Sequence, residues 1–189
     1  IIHVLNLPES DFVVRRNDEI TIDEIYDMRV SSIIISPGPM SPKEAGISND
    51  IIKEFYDKVP ILGICLGHEC IGEVFGGTLI QCEEIIHGEA DEIILSVSNL
   101  YEGLSDKILG ARYHSLKIDE TTFACNEIRV NAILNNGTIM GIEHNKYPLY
   151  GVQFHPESIL TGLNGKKILD NFMKISDDFN AHCNAVSAP

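Results

Sequence analysis

The apolar residues in the first half of the chain form two short continuous runs, at Ser31–Ser36 and Val59–Ile64. Runs of this length are typical of parallel strands that are covered on both faces. The second run passes directly into a stretch with apolar residues at helical spacing, Leu66–Phe75, which ends at the glycine pair 76–77. The pattern therefore predicts a sharp turn from strand to helix at Cys65.

Helix-start signatures and short strands complete the pattern. Capping boxes at Thr21–Glu24 and Ser41–Glu44 predict two short helices, and an apolar stripe over 51–56 predicts another. Short strands are predicted further along the chain, at Ile93–Leu95, Ala111–Tyr113, Val130–Leu134, Ile139–Ile142 and Leu149–Phe154. A final helix carries an apolar face over 168–173. This alternation predicts an α/β fold with a mostly parallel sheet, helices on both faces and a small antiparallel extension.

One domain is expected to extend over residues 1–175. With 189 residues and 44% hydrophobic content, the chain can bury one substantial core. Residues 176–189 are polar and lack an apolar stripe, and we expect them to form a flexible tail.

Charge and cysteine content narrow the class of protein. Fourteen basic and 28 acidic residues give a net charge of −14, which argues against a nucleic-acid partner. We find no apolar run long enough to span a membrane and no basic, apolar secretory start, so a membrane partner is not expected. The five cysteines are odd in number and lack CxxC pairs, which favours the reducing cytoplasm over a disulfide framework.

The residues around Cys65 have the spacing of a nucleophile elbow. Gly63 and Gly67 stand two before and two after the cysteine, as a strained turn that projects a side chain outward requires. The backbone N–H groups that follow lie at a helix N-terminus, whose positive end lowers a thiol pKa and can hold an oxyanion. Taken alone, the segment fits either a catalytic cysteine or a buried structural one.

The predicted strand Leu149–Phe154 ends in His155, Pro156 and Glu157. A cysteine nucleophile needs a base, and the base needs an acceptor on its other ring nitrogen. His155 and Glu157 lie two apart and could supply both roles, although such a triplet by itself is more often a satisfied turn. Together with the elbow it favours a Cys65–His155–Glu157 triad.

Four segments resemble the motifs of a known family and occur in that family's order. They are Ser36–Pro39, GICLGHE from Gly63, the RYHSL segment Arg112–Leu116, and GVQFHPES from Gly151. Over about residues 13–175 the chain resembles class I glutamine amidotransferases. More narrowly, it is similar to the glutaminase subunit (component II) of anthranilate synthase and aminodeoxychorismate synthase.

The resemblance implies that Cys65, His155 and Glu157 are the catalytic residues and that the backbone N–H groups of Gly38 and Leu66 form the oxyanion hole. It also implies a set of glutamine-binding residues: Gly38, Pro39, Met40, Leu66, Glu69, Ser115 and Leu116. The ammonia released from glutamine would pass to a chorismate-using synthase subunit (component I). No cofactor or metal is expected, because the cysteines and histidine at 65, 68 and 70 match no zinc-binding spacing.

Three features depart from the family pattern. Residues 1–12 form an atypical, shortened N-terminus without the usual Asp-Asn-Tyr-Asp-Ser-Phe-Thr-like loop. Met40 replaces a glycine, which would be strained if the position requires φ > 0. Glu69 replaces a glutamine, and an ionised carboxylate there would repel the carboxylate of the substrate unless it is protonated or turned away.

These departures leave two alternatives to an active glutaminase subunit. The first is a catalytically weakened relative that acts as a binding or regulatory subunit of the synthase. The second is a hydrolase of related architecture that acts on γ-glutamyl compounds other than glutamine.

Overall fold

The computed structural model describes residues 1–83, 88–123 and 125–186, which contain five α-helices, three 3-10 helices and nine strands. The α-helices are α1 Ile2–Leu5, α2 Ile22–Met28, α3 Ser48–Phe55, α4 Leu66–Val74 and α5 Gly162–Val186. The strands are β1 Ile33–Ile35, β2 Ile61–Ile64, β3 Leu79–Gln81, β4 Glu89–Leu95, β5 Lys107–Arg112, β6 Leu116–Ile118, β7 Ile128–Ile133, β8 Ile139–His144 and β9 Leu149–Val152. Three 3-10 helices lie at Glu9–Asp11, Pro42–Glu44 and Asn99–Tyr101.

The main sheet of the described chain has seven strands in the order β1-β2-β9-β8-β7-β4-β5. The pairs β1–β2 and β2–β9 are parallel, whereas the pairs from β9 onward to β5 are antiparallel. The predicted α/β fold with a parallel core and an antiparallel extension is confirmed. The extension, with four strands, is larger than predicted, and the separate β3–β6 pair was not predicted.

The sheet has a buried core on each face. Side chains alternate along a strand, so Leu62 and Ile64 of β2 face one core while Ile61 faces the other. The core beside Leu62 includes Phe172 of α5, whereas the core beside Ile61 includes residues of α2, α3 and α4. The predicted helices on both faces are therefore present.

The antiparallel part of the sheet curls back toward the segment that follows β9. The amide of His155 donates to the carbonyl of Ala111 in β5 at 2.9 Å, which forms an isolated antiparallel bridge. Strand β5, the last in the sheet order, is thus hydrogen-bonded to the chain just beyond β9.

The end of the chain differs from the predicted tail. Helix α5 continues through Val186, about three turns past Ser176. The side chains of Ser176 and Asn180 donate to the carbonyl of Ser31 at 3.2 and 3.0 Å. These two polar contacts hold the first part of the segment against the residues before β1. No described helix is long and apolar enough to cross a membrane.

Candidate active site

Cys65 occupies a strained turn between β2 and α4. Its φ of 52° and ψ of −101° lie outside the regions that ordinary residues favour. A Cβ atom on Gly63 would lie 2.4 Å from the backbone of Gly67, and a Cβ on Gly67 would lie 2.4 Å from the carbonyl oxygen of Ile35. Both flanking positions therefore require glycine, as the elbow spacing predicted.

The thiol of Cys65 is nearly buried, with 8% of the residue exposed. Burial, and after it the negative charge of Glu69, raises the pKa of this thiol to about 12, although the N–H of Leu66 acts in the opposite direction. The helix N-terminus acts to lower this pKa, as expected, but burial outweighs its contribution and the net shift of the pKa is upward. The thiol is protonated at neutral pH, so a nucleophilic role requires a base.

His155 and Glu157 are joined by a hydrogen bond of 2.8 Å between Nδ1 and Oε1. Burial acts to raise the pKa of Glu157, but the hydrogen bond from His155 and a backbone hydrogen bond together hold it below its ordinary value. The carboxylate therefore accepts a hydrogen bond from Nδ1–H, and Nε2 is the acceptor nitrogen of this tautomer of the ring. Nε2 is buried and has no hydrogen-bond partner among the described residues.

Cys65 and His155 lie at the same edge of the sheet. Strands β2 and β9 are parallel neighbours, and the amide of Cys65 donates to the carbonyl of Val152 at 2.8 Å. Tyr113 lines a cavity together with Cys65, and its ring contacts the ring of His155 edge-on, with centroids 5.0 Å apart. The arrangement follows the rule that sites in such sheets form at the carboxyl ends of parallel strands.

Thr161 fixes the backbone of His155 against β5. Its Oγ1 accepts a hydrogen bond from the amide of Ala111 at 3.0 Å and donates to the carbonyl of His155 at 2.6 Å. Thr161 lies three residues beyond the GVQFHPES motif. No sequence pattern indicates its role, because the contact depends on a strand residue 50 positions away.

The cavity beside Cys65 has a volume of about 220 Å³. Most of the predicted glutamine-binding residues line it, and the lining consists of Gly38, Pro39, Met40, Cys65, Glu69, Tyr113, His114, Ser115 and Leu116. Leu66 is absent from this lining, although a Cβ on Gly38 would lie 2.8 Å from its Cδ2 atom, so the two predicted oxyanion residues are in close contact. A second cavity of about 490 Å³, near the start of β9, contains none of the predicted site residues.

Two of the three departures from the family pattern, Met40 and Glu69, lie at this cavity. Met40 has a φ of 71°, so its position does require a left-handed backbone, and 71% of the residue is exposed. Glu69 is 3% exposed, and its Oε1 accepts a hydrogen bond from Nε2 of Gln153 at 2.9 Å. Burial raises the pKa of Glu69 to about 7. Sequence reasoning missed Gln153, which stands two residues before His155.

Metal binding finds no support in the described part of the chain, where no group of three or more His, Cys, Asp or Glu side chains could hold an ion. His68 is fully buried, and burial lowers its pKa to about 3. Its ring is therefore neutral and belongs to the core.

Comparison with known proteins identifies the class. The family model for glutamine amidotransferase class I matches residues 1–175, and the chain belongs to this family. The predicted family is thus confirmed.

Individual relatives define the branch. The chain is 47% identical over 166 residues to the aminodeoxychorismate/anthranilate synthase component 2 of Bacillus subtilis, covering 87% of this chain and 84% of the relative. It is 47% identical over 162 residues to the anthranilate synthase component 2 of Cyanophora paradoxa, covering 85% and 84%. The bifunctional protein TrpGD of Thermotoga maritima is 44% identical over 170 residues, and the match covers 90% of this chain and 28% of that longer protein. The predicted resemblance to component 2 subunits is confirmed.

A solved structure has the same fold. A protein from Thermoplasma acidophilum, described as a putative subunit of GMP synthase, superimposes with a TM-score of 0.76, over 89% of this chain and 82% of that one, at 24% sequence identity. At this identity the likeness concerns the fold alone.

Proposed function

We propose that the chain is a glutaminase subunit, which hydrolyses glutamine to glutamate and ammonia and supplies the ammonia to a chorismate-using synthase. The observation that carries the proposal is the hydrogen bond between Nδ1 of His155 and Glu157, which leaves Nε2 as a basic nitrogen at the sheet edge that holds Cys65. A thiol at an elbow and an imidazole whose Nε2 is an acceptor are the two components of general-base nucleophilic catalysis.

In the first half-reaction, His155 takes the thiol proton of Cys65 through Nε2. The sulfur attacks the side-chain amide carbon of glutamine and forms a tetrahedral intermediate. Backbone N–H groups of Gly38 and Leu66 stabilise its oxyanion, a contribution of about 2.7–4 kcal/mol for each such donor. His155 then gives its proton to the leaving nitrogen, and ammonia departs.

In the second half-reaction, His155 removes a proton from water, which attacks the γ-glutamyl thioester at Cys65. Collapse of the second tetrahedral intermediate releases glutamate and returns the thiol. Glu157 keeps the imidazole in the tautomer with its proton on Nδ1 and stabilises the imidazolium that forms in both halves. The reaction needs no cofactor.

The partner is proposed from the relatives. Several are named component 2 of anthranilate or aminodeoxychorismate synthase, which points to a component I subunit that uses chorismate. The free thiol that the mechanism requires is compatible with the reducing cytoplasm.

The test is glutamate release from glutamine by the chain, with and without a chorismate-using synthase subunit. We expect release that rises with the partner, that is lost in Cys65→Ala and that persists in Cys183→Ala, which removes an exposed cysteine of α5. Absence of release by a folded chain in the presence of the partner would contradict the proposal.

One observation favours a second candidate, a catalytically weakened relative that binds or regulates the synthase. The carboxylate of Glu69 lies in the cavity and opposes formation of the Cys65 thiolate. Under this alternative, Glu69→Gln together with Met40→Gly would increase glutamine turnover. No gain in turnover would remove the reason for it.

A further inference from the structure

From Ala111 to His114, at the end of β5, alternate residues make different sets of contacts. Ala111 bonds the backbone of His155, and Tyr113 packs against the ring of His155. The side chains of Arg112 and His114 instead bond one another, and His114 bonds the carbonyl of Leu116. The segment thus has one set of contacts to the proposed base and another to the proposed glutamine-binding wall.

The bond between Arg112 and His114 determines which ring nitrogen of His114 carries the proton. Arg112 Nε lies 3.1 Å from His114 Nε2, and a guanidinium can only donate. Nε2 must therefore accept, which places the proton of the neutral ring on Nδ1. Nδ1–H then donates to the carbonyl of Leu116 at 2.7 Å. Burial lowers the pKa of His114 to about 4, which is consistent with a neutral ring.

Arg112 is itself held in place. It is nearly buried, its Nη1 pairs with the carboxylate of Asp91, and its carbonyl accepts from the amide of Gly88 at 2.9 Å. A buried guanidinium with these contacts keeps a fixed direction, so its Nε remains aimed at His114.

The carbonyl that His114 contacts belongs to the wall of the cavity beside Cys65. Ser115 and Leu116 line the cavity that Cys65 also lines. The carbonyl of Leu116 is bonded by His114, and the carbonyl of Ser115 accepts from the amide of Cys82 at 2.8 Å. Two successive peptide groups of this wall are therefore fixed by the protein before any substrate binds.

We propose that Arg112 and His114 are positioning residues, which hold Ser115 and Leu116 in the geometry that binds glutamine. This inference rests on the proposed glutaminase function. A prearranged wall reduces the ordering that binding would otherwise require, so its loss weakens glutamine binding. The chemical step is affected less, because Cys65 and His155 are held by β2, β9 and Thr161.

Two substitutions of His114 separate its hydrogen bond with Arg112 from its hydrogen bond with Leu116; Nδ1 also lies 3.5 Å from Sγ of Cys82. The amide nitrogen of His114→Asn falls near the position of Nδ1 and can still donate to Leu116, whereas the amide oxygen of His114→Gln falls near Nε2 and can still accept from Arg112. We expect His114→Gln to raise KM for glutamine about tenfold, the loss of one buried hydrogen bond, with kcat nearly unchanged. His114→Asn keeps the bond to Leu116 and loses only the bond from Arg112, so it should raise KM by a smaller factor of about threefold.

A direct measurement of glutamine binding separates this test from the test of the proposed function. Glutamine affinity is measured by calorimetry in the Cys65→Ala background, where no turnover occurs, and thermal unfolding checks that both variants are folded. Weaker binding for His114→Gln than for His114→Asn supports the positioning role. Equal affinities, equal KM values, or a loss confined to kcat would overturn it, as would a lack of glutamine binding by the Cys65→Ala chain. Cys65-dependent glutamate release by the parent chain is a separate result and decides the proposed function alone.

Discussion

The side-chain amide of Gln153 joins Glu69 to Cys65. Its Nε2 donates to Oε1 of Glu69 at 2.9 Å and lies 3.8 Å from the sulfur of Cys65. Cys65 is the N-cap of α4, and the amide of Glu69 in its first turn donates to the carbonyl of Cys65 at 3.0 Å. A change in the charge of Glu69 therefore changes the pKa of the Cys65 thiol.

Glu69→Gln should change how stability depends on pH. The folded-state pKa of Glu69 is about 7, above the ordinary value of 4.5, so between these values the folded chain binds more protons than the unfolded chain. Stability from this group therefore falls as pH rises from 4.5 to 7, by at most about 3 kcal/mol. Glu69→Gln removes this loss, so its stability relative to the parent should be greater at pH 8 than at pH 4.5.

Urea unfolding at pH 4.5 and pH 8 measures this effect. Glu73→Gln is the matched control, since Glu73 lies one turn further along α4 and bonds Asn49 instead of Gln153. A stability difference between parent and Glu69→Gln that is the same at both pH values would contradict the prediction.

Met40→Gly should stabilise the chain. The backbone of Met40 is left-handed, a conformation that costs about 1–2 kcal/mol for residues with a Cβ and that glycine adopts readily. The side chain is largely exposed, so its loss removes little packing. In urea unfolding, Met40→Gly should be more stable than Met40→Ala by about 1 kcal/mol. Equal stability of the two variants would show that the turn is not strained.

Thr161→Val should lower both stability and activity. The change leaves the amide of Ala111 and the carbonyl of His155 without their side-chain partner, a loss of about 1–3 kcal/mol for buried groups. Thr161→Ser keeps the hydroxyl and serves as the control. We expect Thr161→Val, but not Thr161→Ser, to reduce kcat for glutamate release, because His155 is no longer fixed. Equal kcat values for the two variants would contradict the role assigned to the hydroxyl.

Gly67→Ala should be far more damaging than Gly72→Ala on the same helix. A Cβ on Gly67 would lie 2.4 Å from the carbonyl oxygen of Ile35, which is backbone of the central sheet and cannot move aside. A Cβ on Gly72 would lie 2.5 Å from the end of the Ile118 side chain, which can change rotamer. We expect a loss of about 3 kcal/mol or more for Gly67→Ala and much less for Gly72→Ala, measured by thermal unfolding. Similar melting temperatures would contradict this.

The local parts of the site were predictable from sequence because their geometry is local. The elbow at Cys65 requires glycine two residues away on either side, and that spacing is visible in the chain. The hydrogen bond between His155 and Glu157 joins residues two apart. The left-handed backbone at Met40 was likewise anticipated from the residue type that the family places there.

Contacts between distant segments were not predictable. The Thr161 hydroxyl has its role only because β5 returns to the end of β9, and no periodic pattern encodes that return. The helix N-terminus, which acts to lower the pKa of Cys65, is visible in the sequence, whereas the depth of burial, which outweighs it, is not. Strands β3 and β6 are three residues long, too short to show alternation.

The length of α5 bears on where this domain can be joined to another. At 1.5 Å per residue, its 25 residues extend about 37 Å. Within this length, Gly165 closely approaches the backbone of Pro156, and Asn180 donates to the carbonyl of Ser31. Similarity to the family ends at residue 175, in the middle of this helix. A domain boundary placed there would interrupt α5 and remove its hydrogen bond to Ser31. A fusion junction therefore belongs beyond the helix.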